Sequence, residues 1–79
     1  MNDLPRYRSH KEVNAAKIDV ITPNDNGSTS LVCGTATISV SREYVDKHGP
    51  QVGGYYVLYE DGYESWSPAE AFESGYTRI

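Results

Sequence analysis

The fold is decided by residues 55–68, Tyr55-Tyr56-Val57-Leu58-Tyr59-Glu60-Asp61-Gly62-Tyr63-Glu64-Ser65-Trp66-Ser67-Pro68, which encode a strand, a turn, a second strand and the start of a helix. Asp61-Gly62 is a strong signal for a two-residue hairpin turn, which would place Val57 opposite Trp66. One face of the hairpin would hold Tyr55, Val57, Tyr59 and Trp66, and the other Tyr56, Leu58 and Tyr63. Because both faces are apolar, we expect a central strand pair that is covered on both sides.

The sequence after this hairpin predicts a short helix. Ser67-Pro68-Ala69-Glu70 has the spacing of a capping box, with Ser67 as the N-cap and Pro68 at the first helical position. Phe72 would face inward, and Ser74-Gly75 would end the helix. Residues 76–79 are expected to add an edge strand.

The sequence before the hairpin predicts a helix that follows an alternating strand. Ser41 is expected to cap the helix, and Gly49-Pro50 to stop it. Residues 35–40 alternate in polarity, which is typical of a strand. Val32, Ala36, Ile38 and Val40 would share one face, and Cys33, Thr35, Thr37 and Ser39 the other.

The first third of the chain predicts one strand and one turn. Residues 14–21 alternate as in a half-buried strand, and residues 22–28 have the Pro, Asn and Gly content of a turn. Ser9-His10-Lys11-Glu12 has capping-box spacing and predicts one helical turn near residue 10.

These elements predict a small α+β domain, in which one twisted antiparallel sheet, or a partly open barrel, carries two short helices. With 79 residues there is room for a single domain, which we place at residues 13–79 behind a basic N-terminal arm at residues 1–12. A core this thin favours self-association, so we expect a homo-oligomer.

Charge is distributed unevenly along the chain. Residues 1–17 carry four basic and two acidic groups, for a net +2, whereas residues 18–79 carry three basic and nine acidic groups, for a net −6. The arm could grip a phosphate or an acidic partner, or be a solvated terminus. The overall charge of −4 argues against general nucleic-acid binding. No apolar run reaches the roughly 18–20 residues of a membrane span, and the single cysteine favours a reducing cytoplasm.

No catalytic set is apparent in the sequence. Cys33 has no histidine placed beside it, and Cys33, His10 and His48 lack the paired spacings of a metal site. Asp61 is explained by the turn and Glu70 by the helix cap, and the carboxylates of this region are expected to form a solvated acidic face. The glycines form no phosphate loop. We therefore expect no enzymatic activity, no metal and no cofactor.

The aromatic residues carry the remaining signal, because seven of the nine lie within residues 55–76. This number of aromatic side chains exceeds what one thin core requires. Surplus tyrosine is typical of protein interfaces. Aromatic faces beside basic side chains would also suit a nucleotide, through stacking and phosphate pairing. The candidate binding residues are Arg6, Tyr7, Arg8, His10, Lys11, Tyr56, Tyr59, Tyr63 and Trp66.

Several segments of the chain resemble a group of small proteins of unassigned activity from tailed bacteriophages. The resemblance rests on Tyr7-Arg8-Ser9-His10-Lys11, Gly53-Gly54-Tyr55-Tyr56-Val57, Tyr59-Glu60-Asp61-Gly62-Tyr63, Ser65-Trp66-Ser67-Pro68-Ala69 and Gly75-Tyr76-Thr77-Arg78-Ile79. It implies a phage origin and action in the host cytoplasm or in the virion.

We therefore predict a binding protein that acts by occupancy. By analogy with other small acidic phage proteins, its partner would be a host defence protein that it blocks or a small nucleotide that it sequesters. The alternative is a structural role as an accessory or assembly protein of the virion.

Overall fold

The computed structural model describes residues 4–8 and 12–78, which form eight strands and two helices. The elements are β1 (Arg6–Arg8), β2 (Glu12–Lys17), β3 (Val20–Pro23), β4 (Thr29–Cys33), β5 (Ala36–Val40), α1 (Arg42–His48), β6 (Tyr55–Tyr59), β7 (Glu64–Ser67), α2 (Ala69–Gly75) and β8 (Thr77–Arg78). The predicted α+β class is confirmed. The strands form two antiparallel sheets rather than one, in the orders β7-β6-β2-β1-β8 and β3-β4-β5, and they do not close into a barrel.

The chain passes between the two sheets at Ile18 and Asp19, where the sequence predicts an unbroken strand. Ile18 exchanges backbone hydrogen bonds with the loop before β6, donating to Gly54 O and accepting from Gly53 N, both at 2.8 Å. The next residue, Asp19, donates to Val32 O in β4 at 2.7 Å. Ile18 is buried whereas Val20 is 49% exposed, so the predicted alternation ends at this crossing.

The β4–β5 hairpin places Cys33 on the opposite face from the one expected. Gly34 adopts φ +64° and begins a two-residue turn, which pairs Cys33 with Ala36. Paired residues share a face, whereas residues three apart in one continuous strand do not. Cys33 is therefore buried with the apolar residues, 7% exposed, and its predicted position among the threonines is wrong.

The β6–β7 hairpin has a three-residue loop, Glu60 to Gly62, and not the expected two-residue turn. Tyr59 N donates to Tyr63 O and Gly62 N to Tyr59 O, both at 2.9 Å, and Gly62 has φ +91°. Trp66 therefore pairs with Tyr56. A shift of one residue moves a side chain to the other face, so the predicted register and the predicted face of Trp66 are wrong.

The core has two parts, one on each face of β2 and β6. The prediction that both strands of the β6–β7 hairpin are central is therefore right for β6, which is covered on both sides, and wrong for β7, which is an edge strand of the five-stranded sheet. One cluster lies between the sheets and α1, and contains Ala16, Ile18, Leu31, Cys33, Val40, Tyr44 and Tyr56. The other lies under α2 and contains Val13, Ala15, Tyr55, Val57 and Phe72. We call these the inter-sheet cluster and the α2 cluster.

The predicted ends of the first helix are confirmed, and those of the second only in part. Ser41 Oγ accepts from Tyr44 N at 3.1 Å, and Gly49 ends α1 in a left-handed conformation. Helix α2 begins after Pro68 without a side-chain cap, because Ser67 belongs to β7 and pairs with Tyr55, so Ser67 is not the N-cap. Phe72 faces inward, as expected.

The two ends of the described chain meet at one sheet edge. Strand β8 confirms the expected edge strand, since Thr77 pairs with Arg8 in β1. The helical turn predicted near residue 10 falls on residues 9–11, which lie outside the described residues, and Glu12 opens β2 opposite Arg8.

Candidate interaction surface

The basic residues of β1 are held by a carboxylate of β2. Arg8 Nη2 lies 2.9 Å from Glu12 Oε2, and Arg6 contacts Glu12 Oε1. Both arginines have exposed side chains. Tyr7 points the opposite way, into the α2 cluster, where its ring meets the ring of Phe72 edge-on at 4.8 Å. His10 and Lys11 lie outside the described residues.

Tyr56 and Trp66, like Tyr7, pack against the core clusters. Tyr56 is 3% exposed, and its hydroxyl donates to Glu64 Oε2 at 2.6 Å. Burial, followed by this hydrogen bond and the charge of Glu64, raises the pKa of Tyr56. Trp66 is half-buried against the inter-sheet cluster, and its Nε1 is buried with no hydrogen-bond partner among residues 4–8 and 12–78. The indole also lines a cleft of about 240 Å³ with Val52 and Pro68.

Tyr59 and Tyr63 form the aromatic part of a surface cleft beside the β6–β7 loop. Their rings are nearly parallel, at 9°, with centroids 5.8 Å apart. Tyr63 is 43% exposed, and the hydroxyl groups of Tyr59 and Tyr76 are hydrogen-bonded. The cleft has a volume of about 290 Å³ and is lined by Glu12, Tyr59, Glu60, Asp61 and Tyr63. We call it the tyrosine–carboxylate cleft.

The last turn of α1 packs against the outer side of this cleft. Lys47 Nζ lies 5.2 Å from the centroid of the Tyr63 ring, at a distance typical of a cation–π contact. His48 Nε2 lies 3.5 Å from the Tyr63 hydroxyl oxygen. The sequence carries no local signal that links Lys47 or His48 to Tyr63.

The structure brings the basic strand and the tyrosine pair close together, but with carboxylates between them. Glu12 binds both arginines and also lines the cleft with Tyr59 and Tyr63. Three carboxylates surround the tyrosines, whereas a nucleotide phosphate would need unpaired cations at this position. Sequence reasoning missed Glu12 as part of this surface, because its place there depends on the pairing of β2 with β6.

Cys33, Glu64 and Glu73 are buried or engaged in hydrogen bonds within the fold. Burial raises the pKa of the Cys33 thiol, and the nearby charge of Asp19 adds to the effect. The carboxylates of Glu64 and Glu73 accept hydrogen bonds from Tyr56 and Tyr55 respectively. Within residues 4–8 and 12–78, no group of three or more His, Cys, Asp or Glu side chains is arranged to hold a metal ion.

The helices of the described chain are too short to cross a membrane. Helices α1 and α2 contain seven residues each.

Comparison with known proteins gives one informative similarity. No family model and no curated protein sequence matches the chain. The fold is similar to the NMR solution structure of the monomeric form of the phage L decoration protein, with 27% sequence identity and a TM-score of 0.69. The match covers 98% of this chain and 60% of that protein, so the chain spans about 60% of its length. This similarity supports the expected bacteriophage affiliation, whereas the motif-level resemblance to other phage proteins stays a prediction.

Proposed function

We propose that this chain is a non-enzymatic accessory protein of a phage virion, which acts by occupying a site on the capsid. The observation that carries this proposal is the similarity to the phage L decoration protein over 98% of the chain. The buried Cys33 and the carboxylates already engaged by tyrosines fit a protein that binds without catalysing a reaction.

The same similarity favours the virion role over the other predicted role, inhibition of a host defence system. Nothing in the fold comparison points to a host protein as the partner. The carboxylates beside Tyr59 and Tyr63 oppose the binding of a nucleotide phosphate there. We therefore propose the virion as its location and the capsid protein as its partner.

The test is the composition of purified virions of the phage that encodes this sequence. Mass spectrometry of gradient-purified particles should find the chain in a fixed ratio to the major capsid protein. A second sample would mix the purified chain with particles from a deletion phage, and sedimentation should recover both together. Absence from both kinds of particle, with the protein present in the lysate, would refute the virion role.

The predicted homo-oligomer needs a separate measurement. Native mass spectrometry of the purified chain reports its subunit number, and a spectrum of monomer alone would contradict self-association in solution.

A further inference from the structure

We propose that the tyrosine–carboxylate cleft receives an arginine side chain from the surface of a protein partner. The cleft joins two features that a guanidinium group recognises, a pair of aromatic rings and carboxylates beside them. A guanidinium group stacks on aromatic faces and forms paired hydrogen bonds with carboxylates. The lining by Tyr59, Tyr63, Glu60 and Asp61 offers both kinds of contact within one cleft.

The size of the cleft fits a single long side chain. Its volume of about 290 Å³ lies at the lower limit of small-molecule sites, which span about 300–1,000 Å³. The near-parallel rings of Tyr59 and Tyr63 present a preformed aromatic surface. Tyrosine in such positions contributes contact area at a low cost in conformational entropy.

The charge balance around the cleft leaves two carboxylates for the partner. Glu12 is already engaged by Arg6 and Arg8. Glu60 and Asp61 form no ion pair among residues 4–8 and 12–78. Asp61 uses Oδ1 to accept from Tyr63 N at 3.0 Å, which leaves its other oxygen for an incoming donor. A cationic side chain therefore complements this part of the surface.

Tyr63 keeps exposed ring surface although one cation of the chain, Lys47, lies near it. The ammonium group of Lys47 lies 5.2 Å from the ring centroid. Because 43% of Tyr63 remains exposed, the ring also offers surface to a partner.

The first experiment titrates the isotope-labelled full chain with the capped tripeptide acetyl-Gly-Arg-Gly-amide and follows NMR chemical shifts. The ring signals of Tyr59 and Tyr63 and the amides of Glu60 and Asp61 should shift, while the ring signals of buried Tyr44 should not. The matching citrulline peptide, which has nearly the same shape but no charge, should cause no shift. Equal shifts with both peptides, or none with either, would overturn the proposal.

Charge-removing variants test whether the two carboxylates hold the peptide. Glu60→Gln with Asp61→Asn should weaken binding by about three- to tenfold, as expected for the loss of two exposed ion pairs. Asparagine keeps a turn acceptor for Tyr63 N, so the loop should be retained. The matched control, Asp25→Asn with Glu70→Gln, removes the same charge by the same two substitutions at exposed positions that do not line the cleft, and it should bind as tightly as the unchanged chain. Equal affinity of the Glu60/Asp61 variant and the control would overturn the proposal.

That the partner is a capsid protein rests on the proposed function. Sedimentation with phage particles distinguishes a failure of the virion role from a failure of the arginine-binding cleft. Weaker co-sedimentation of the Glu60/Asp61 variant than of its control would support both. Equal binding by all three proteins would leave the virion role intact and exclude the cleft as the contact. If the unchanged chain does not bind particles, the virion role fails. The peptide titration then decides by itself whether the cleft binds an arginine side chain.

Discussion

Replacing Gly54 by alanine is expected to destabilise the protein by overlap with Trp66. A Cβ atom on Gly54 would lie 2.5 Å from both Cε2 and Nε1 of the indole, and closer still to Cζ2. Carbon atoms in favourable contact are about 3.5–4.0 Å apart, so the ring or the backbone would have to move by about 1 Å. The backbone of Gly54 has no positive φ, so the expected effect comes from this contact and not from backbone strain.

Neither side of the contact can move freely. Gly54 O accepts from Ile18 N at 2.8 Å, at the point where the chain crosses between the sheets, and Gly54 N donates to Gln51 O at 3.1 Å. Trp66 packs against the inter-sheet cluster. Overpacking of this kind costs about 1–3 kcal/mol, and we expect about 2–3 kcal/mol here. A domain of this size has a total stability of about 4–12 kcal/mol, and the loss should lower Tm by about 8–24 °C.

Urea unfolding followed by far-UV circular dichroism measures the loss. The control is Gly75→Ala in α2, where a Cβ would meet nothing within 4 Å, so its stability should change little or rise by up to about 1 kcal/mol. In a Trp66→Leu background the Gly54→Ala change should cost less than about 1 kcal/mol, because the ring is absent. The same loss in both backgrounds, or a loss below about 0.5 kcal/mol in the unchanged chain, would refute the reasoning.

Three further results are expected. Ser41→Ala should lower the free energy of unfolding by about 1 kcal/mol, since it removes the acceptor for Tyr44 N, and thermal denaturation measures this. Burial and the hydrogen bond to Glu73 raise the pKa of Tyr55 to about 12. The folded chain therefore keeps this proton longer than the unfolded chain, whose tyrosines titrate near pH 10. Stability should be insensitive to this group below about pH 10 and fall between about pH 10 and 12, which urea unfolding at successive pH values would show; constant stability would contradict it. Cys33 should react with iodoacetamide far more slowly in the folded chain than in urea, as mass spectrometry would record, and equal rates would contradict its burial.

Patterns formed by residues close together in sequence correctly predicted the ends of α1 and the inward-facing residue of α2. The hydroxyl of Ser41 and the left-handed Gly49 bracket α1 as expected, because each satisfies a helix end within a few residues of sequence. Phe72 also faces the core as its position in a short helix predicts.

The predictions of strand register and of side-chain face were wrong where a local signal allows two structures and a contact distant in sequence decides between them. Asp61-Gly62 is compatible with both a two-residue and a three-residue loop, and the choice sets the face of Trp66. Gly34 interrupts an otherwise alternating segment, and its N–H donates at 2.7 Å to the carboxylate of Asp19, 15 residues earlier. No spacing rule reveals such a bond.

The candidate surface was predictable in its aromatic residues and not in its charge. Tyr59 and Tyr63 stand out in the sequence because of their density near the hairpin. Glu12 joins them only because β2 pairs with β6, with Val13 opposite Tyr59. The same carboxylate holds Arg6 and Arg8, so the basic segment, which the sequence presents as an arm, contributes ion pairs to the sheet.

The pairing of β1 with β8 has a consequence for engineering the chain. Because Tyr7 lies opposite Arg78, a short peptide linker could join the first described strand to the last without crossing the sheet. New termini could then be cut into the exposed turn at residues 24–27, where backbone hydrogen bonds are few. A reporter or antigen fused at the new termini would then extend from the turn between β3 and β4, in the three-stranded sheet. The five-stranded sheet would keep β8 as its edge strand, now linked covalently to β1.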